Sequence, residues 1–148
     1  MYKKNSLYYI KRDLDTYDKI GFKLVRGAYY NTDNKFNILY NKIEDTHFNY
    51  NKGIKLFVNN SKSNDLLMCA THNIESINYT KNFINNDPNL KNKIEFAHLL
   101  GMSDKLSNQL TKDYKVYKYL PYGDFCDTLP YMIRRLYENY PMIINLVK

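Results

Sequence analysis

The sequence predicts an α/β fold in which parallel strands alternate with crossover helices, and three observations carry that expectation. Short apolar runs of strand length recur along the chain. Amphipathic stretches with helical spacing lie between them, and no fixed-period repeat or long Pro/Gly/Ser linker interrupts the 148 residues. Such alternation implies parallel strands joined by helices that cover the sheet. The length suits one domain, and 44% apolar residues with 16% aromatic suffice for a core.

In chain order, FKLV (22–25) is the first expected strand and residues 46–60 the first helix. NNSKSND (59–65) reads as a solvated connection. LLMCA (66–70) and IEFAHL (94–99) are the next strands, with a helix over 74–85 and a connection, INNDPNLKNK (84–93), between them. A helix over 103–111, a strand at YKVYKYL (114–120) and a helix over 128–139 complete the series. Asp127 or Thr128 would cap the last helix, with Pro130 in its first turn and Pro141 ending it. Functional loops of such folds leave the C-terminal strand ends. RGAY (26–29), THN (71–73), LLGM (99–102) and PYG (121–123) would therefore line one mouth.

The net charge of +7 raises nucleic acid as a partner. The lysines are scattered, however, and no basic run of five occurs, so no nucleic acid is expected. Cys69 and Cys126 have no paired spacing, and Cys69 inside an apolar run reads as a buried thiol. His47, His72 and His98 lack ligand spacing, so no metal is expected. No apolar run approaches the ~20 residues of a membrane helix, and Asp13 and Asp15 argue against a clean transit peptide.

Four arginines stand against eighteen lysines, yet Arg134 and Arg135 are adjacent. On a helix, Tyr131, Arg134, Arg135 and Glu138 share one face, and Leu129, Met132, Ile133 and Leu136 form an opposite, core-like stripe. Arginine's planar fork grips a carboxylate or phosphate through two parallel hydrogen bonds, which lysine cannot do. In GFKLVRGAYY (21–30), Gly27 would allow close approach of a ligand or a positive φ, Lys23 and Arg26 add cations, and Tyr29 adds an aromatic wall. In CATHN (69–73), His72 and Asn73 precede a helix and could donate to a phosphate.

FKLVRGAY, CATHN, FAHLLGM, YKYLPYG and LPYMIRRLYEN, in this order, resemble the C-terminal half of the FAD-dependent proline dehydrogenases, from about residue 5 onward. The KLVRGAY wording is similar to the eukaryotic members. The resemblance implies a (β/α)₈ TIM-type barrel of which residues 1–148 supply the last four β/α units, with Met1-Tyr2 as the tail of a preceding strand. It implies oxidation of L-proline to 1-pyrroline-5-carboxylate with hydride transfer to FAD, a quinone as electron acceptor, and a mitochondrial location, with the cytoplasm as the alternative. By the same resemblance, Arg134 and Arg135 clamp the substrate carboxylate, and Tyr131, Tyr119, Leu24 and Tyr29 enclose its ring. Lys23, Val25, Arg26, Gly27 and Ala28 line the flavin. Thr71, His72 and Asn73 meet its ribityl chain and phosphates, and Glu138 meets the flavin and steadies the arginines. His98 stands where members commonly carry Gln. The family's earlier Lys, Asp and Gln site residues have no counterpart here. A whole barrel takes about 250 residues, so the chain is expected to be partial, with self-association through open barrel edges. An inactive remnant, or a basic module binding nucleic acid or an acidic partner, is the alternative.

Overall fold

In the computed structural model, which describes residues 1–27, 38–134 and 137, the four apolar runs become strands β1 (Gly21–Leu24), β2 (Leu66–Ala70), β3 (Ile94–Leu99) and β4 (Val116–Tyr119). They lie side by side in chain order. β1 and β2 pair in parallel, as do β2 and β3, so that Leu24 stands opposite Cys69 and Cys69 opposite Phe96. β4 joins through the Phe96 amide, which donates to the Lys115 carbonyl at 2.9 Å. Met1–Lys118 form one compact unit and Tyr119–Lys148 a second.

Helix α1 (Ser6–Thr16) was not expected from the sequence. Its inward stripe is only Ile10 and Leu14, one turn apart, among tyrosines and charges, and Lys11 pairs with Asp15 at 2.9 Å on the outer face. Helix α2 (Ile43–Asn60) begins three residues before the expected start, with Glu44 and Asp45 complementing the positive end of its dipole. Asn49, Tyr50, Gly53, Ile54 and Phe57 make its buried face. Helix α3 (Ile74–Asn86) is capped by Asn73, whose Oδ1 accepts from the Ser76 amide at 2.9 Å. The connection after it contains a 3₁₀ turn, Pro88–Asn92, that buries Leu90. Helix α4 (Asp104–Leu110) leads to β4.

Strand alternation divides the sheet into two faces. Leu24, Leu67, Cys69, Ile94 and Phe96 are buried in one cluster with Ile54, Phe57, Ile77, Ile84 and Leu110 from the helices. Phe22 meets Phe57 edge-on at 6.3 Å between ring centroids. Lys23, Met68 and Glu95 form a neighbouring row of register partners, shifted by one residue and so turned to the other face. Gly53 leaves room for the Met1 side chain, since a Cβ there would lie 2.7 Å from Met1 Cε, while Leu24 Cδ1 on β1 would stand at an ordinary contact distance of 3.4 Å.

The second unit corrects the expected start of its helix. Residues 125–134 are helical and form α5. The Asp124 carbonyl accepts from the Asp127 and Thr128 amides at 3.1 and 2.9 Å. Gly123, at φ +145°, supplies the preceding turn that other residues rarely adopt. Pro130 therefore falls in the second turn, where it cannot donate to the Cys126 carbonyl. The apolar stripe of this helix is exposed at Leu129 (39%), Met132 (53%) and Ile133 (57%). Helical spacing marks a face suited to burial without naming what buries it. Leu136 and Pro141 lie outside the described residues.

The loop before β2 is not merely solvated. Asp65 is buried at 1% exposure, and its carboxylate accepts from the Ile20 amide at 2.9 Å and the Lys62 amide at 2.7 Å. Asp65→Ala should strand both donors and lower unfolding stability by about 2 kcal/mol or more. Urea denaturation measures this, and a loss below about 0.5 kcal/mol would remove Asp65 from the structural account.

Candidate ligand site at the strand ends

In the first unit, the strand ends β1, β2 and β3 bring Arg26, Thr71, His72, Asn73 and the β3 backbone together. Arg26 follows β1 and is fixed on three sides. Its Nε donates to Thr71 Oγ1 at 3.0 Å, its Nη2 donates to Ser76 Oγ, and its guanidinium carbon lies 4.5 Å from the centre of the Tyr50 ring. Ser76 Oγ in turn donates to Asn51 Oδ1 at 2.6 Å, and Tyr50 OH donates to the Leu24 carbonyl at 3.3 Å. Burial pulls the Arg26 pKa below its usual value, against the opposing influence of Tyr50 and Glu75. Nη1 is buried and has no hydrogen-bond partner among the described residues.

Thr71 is buried and also receives the Asn73 amide at 3.2 Å, which tightens the turn into α3. His72 Nε2 accepts from the Leu99 amide at 3.1 Å. The ring of His98, only 2% exposed, lies 5.0 Å from that of His72 at an interplanar angle of 34°. His98 Nδ1 is 2.7 Å from Ser107 Oγ, while its buried Nε2 has no partner among the described residues. Burial, followed by the nearby His72 and Lys118 charges, pushes the His98 pKa down to about 4; burial and Lys118 also lower that of His72. No group of three or more metal-ligating side chains occurs among the described residues.

These features suit an anionic group. A guanidinium with a spare buried N–H stands beside the first turn of a thirteen-residue helix, where free amides and the helix dipole favour negative charge. The residues present therefore fit the phosphates of a nucleotide cofactor.

Several expected site residues stand differently. Leu24, expected in the substrate wall, is 4% exposed and belongs to the core cluster on the helix-covered face. Strand alternation turns it away from the face that carries Lys23, so the wall assignment is corrected. Gly27 does not have positive φ; a Cβ there would lie 3.1 Å from Tyr2 Cδ1, so the close approach it permits is to this chain's own ring. The Val25 carbonyl accepts from the Met1 amino group. Lys23 is exposed on β1. Ala28 and Tyr29 lie outside the described residues, as do Arg135 and Glu138. Sequence reasoning missed Tyr50, Asn51, Ser76 and Ser107, which carry no motif and reach the site only through folding of α2, α3 and α4.

In the second unit, the Tyr119 and Tyr131 rings lie 6.3 Å apart at 59°. The Arg134 guanidinium sits 5.9 Å over Tyr131, one helical turn earlier. An aromatic pair next to a planar cation suits a small ring bearing a carboxylate.

The family model described as proline dehydrogenase matches residues 1–142. The chain belongs to the proline dehydrogenase family. It is 39% identical over 135 residues to mitochondrial proline dehydrogenase 1 of Dictyostelium discoideum, covering 82% of this chain and 23% of that protein. Mitochondrial proline dehydrogenase 2 of Arabidopsis thaliana is 38% identical over 139 residues, covering 84% and 29%. The hydroxyproline dehydrogenase of Xenopus laevis is 33% identical over 165 residues, covering 99% and 35%. This chain thus spans about a quarter to a third of these relatives. Among solved structures, proline utilization A of Bdellovibrio bacteriovorus, inactivated by N-propargylglycine, superposes with a TM-score of 0.84 at 21% identity, over 93% of this chain and 16% of that one. A variant of the Bradyrhizobium japonicum protein gives 0.79 at 26% identity, over 93% and 15%. The parallel sheet is therefore a portion of the expected TIM-type barrel.

Cys69 is fully buried, and burial raises its thiol pKa to about 12, against the opposing influence of the neighbouring Thr80 and Tyr50. Cys126 is exposed. Ellman's reagent should therefore modify Cys126 rapidly in the native protein and Cys69 only after denaturation; fast native reaction of both would contradict this burial. His98 gives a second expectation. An unfolded histidine takes its proton near pH 6.5, whereas folded His98 does so only near 4. The unfolded chain thus binds the extra proton inside that window, and stability falls as pH drops from 6.5 towards 4, by up to about 3 kcal/mol. Chemical denaturation across pH should show this decline shrinking in His98→Gln.

Proposed function

We propose that residues 1–148 are the C-terminal half of a proline dehydrogenase catalytic domain that oxidises L-proline to 1-pyrroline-5-carboxylate with FAD, in a mitochondrial protein that passes electrons to a quinone. The observation that carries this reading is the Arg134 guanidinium stacked over Tyr131 beside Tyr119. Family membership supplies the chemistry that such a group of residues serves.

In this reading Arg134, with Arg135, holds the proline carboxylate, and Tyr119 and Tyr131, with Tyr29, wall the apolar ring. Fixing the carboxylate and the ring at once orients the C5–H bond and replaces an unfavourable encounter by a positioned one. Arg26 and the α3 turn, through Thr71, His72 and Asn73, take the cofactor phosphates. Lys23, Val25, Gly27 and Ala28 line the flavin, and Glu138 steadies the arginine pair. FAD supplies, when bound, an acceptor for the hydride that proline loses from C5 as its nitrogen loses a proton and the C=N bond forms. Arg26 needs no rearrangement to meet an anion, because Thr71, Ser76 and Tyr50 already hold it. Self-association through the outer strands of the sheet belongs to the same reading.

The test is spectroscopic and kinetic. The purified protein should carry a visible flavin band that bleaches anaerobically on addition of L-proline. Hydroxyproline serves as the comparison substrate, because relatives named hydroxyproline dehydrogenase reach 37% identity. Arg134→Lys should raise the KM for proline by about thirtyfold, the loss of about 2 kcal/mol expected for a charged hydrogen bond. A KM shift below about twofold would remove Arg134 from the carboxylate clamp.

A further inference from the structure

His72 and His98 form a pair whose geometry fixes the role of one of them. The Leu99 amide N–H points at His72 Nε2 at 3.1 Å. A nitrogen that accepts a hydrogen bond carries no proton, so the neutral ring must bear its proton on Nδ1. The adjacent residue on β3, His98, lays its ring 5.0 Å from that of His72. His98 is itself held from behind by Ser107 on α4, whose hydroxyl also reaches the Ser103 carbonyl at 3.2 Å.

We propose that β3 makes His72 a fixed, neutral hydrogen-bond donor and that His98 is the positioning residue that holds its ring. Leu99 fixes the tautomer and His98 fixes the plane. This rests on the reading that the cofactor's anionic portion meets the β2–α3 turn. It assigns His72 a specific part there: a donor through Nδ1–H, with the positive charge at the site supplied by Arg26 rather than by an imidazolium.

The charges around the pair favour this assignment. The Lys118 charge on β4 disfavours protonation of both rings, and its Nζ is tied to Asp104 at the start of α4. Arg26 occupies the neighbouring strand end. A proton added to His72 would go on Nε2, against the Leu99 N–H, and would place a cation among cations. The buried His98 ring, whose Nε2 has no hydrogen-bond partner among the described residues, resists protonation through burial, against a smaller opposing influence of the Thr71 backbone.

The experiment combines histidine tautomer detection with flavin binding, using the full chain and FAD as the probe. Long-range ¹H–¹⁵N correlation spectra of the protein without flavin should show His72 as the Nδ1–H tautomer at about pH 7. FAD affinity should hold steady or weaken as pH falls from about 7.5 to about 5.5. An affinity that tightens by fivefold or more over that range, or a His72 that is the Nε2–H tautomer or an imidazolium at pH 7, would overturn the proposal. His98→Ala should free the ring plane, broaden the His72 ring signals and weaken FAD binding about tenfold. His98→Phe, which keeps a flat ring, should restore most of that affinity. Should the alanine variant fail to fold, Ser107→Ala loosens His98 alone, and the wild-type spectra and pH series decide without any variant. Unchanged His72 signals and FAD affinity in a folded His98→Ala protein would refute the positioning role. A fixed Nδ1–H tautomer in a protein that binds no FAD at any pH would support the donor assignment and overturn the cofactor reading instead.

Discussion

Parallel pairing in register is the constraint on which the first unit depends. Because Leu24, Cys69 and Phe96 stand in one row, the residues beyond them emerge at one edge of the sheet. Arg26, Thr71 and His98 are brought within reach of each other by that register alone. A slip of one residue in β2 would reverse which side chains meet the helices and which meet the opposite face. It would also carry Thr71 away from the Arg26 guanidinium. Core and candidate site are thus consequences of a single alignment: the apolar row secures it, and the polar groups at the strand ends use it.

The register also explains why the site is built from parts of unequal visibility. Arg26 could be picked out because arginine is scarce in a lysine-rich chain, and Thr71, His72 and Asn73 because they follow an apolar run directly. Their supports could not. Tyr50 and Asn51 sit in the middle of an ordinary amphipathic helix, and Ser76 is one serine among several. They matter only because α2 and α3 pack where they do. A sequence shows which groups have suitable chemistry, whereas packing decides which groups restrain them.

The errors of the sequence reading have the same origin. Strand positions were legible from apolar runs, and β2 and β3 were read to the residue. Leu24 was misplaced because a strand motif does not reveal which alternate faces inward until a covering helix is known. Helix α1 was hidden because two apolar residues one turn apart hardly stand out among tyrosines. The start of α5 moved because Gly123 and the Asp124 carbonyl set it, whereas Pro130 drew attention further along. The buried carboxylate of Asp65 was lost in a stretch whose composition reads as solvent-facing.

Gly53 carries a consequence for chemistry that it never touches. It lies one turn after Tyr50 on the same face of α2, against the Met1 side chain. Tyr50 supplies the ring on which the Arg26 guanidinium rests. A methyl group at position 53 would push the Met1 side-chain tip aside, and Met1 joins the Val25 carbonyl to the Asn49 side chain, both next to that aromatic shelf. The interior contact at position 53 is thus linked, through Met1, to the strand end that carries the cation.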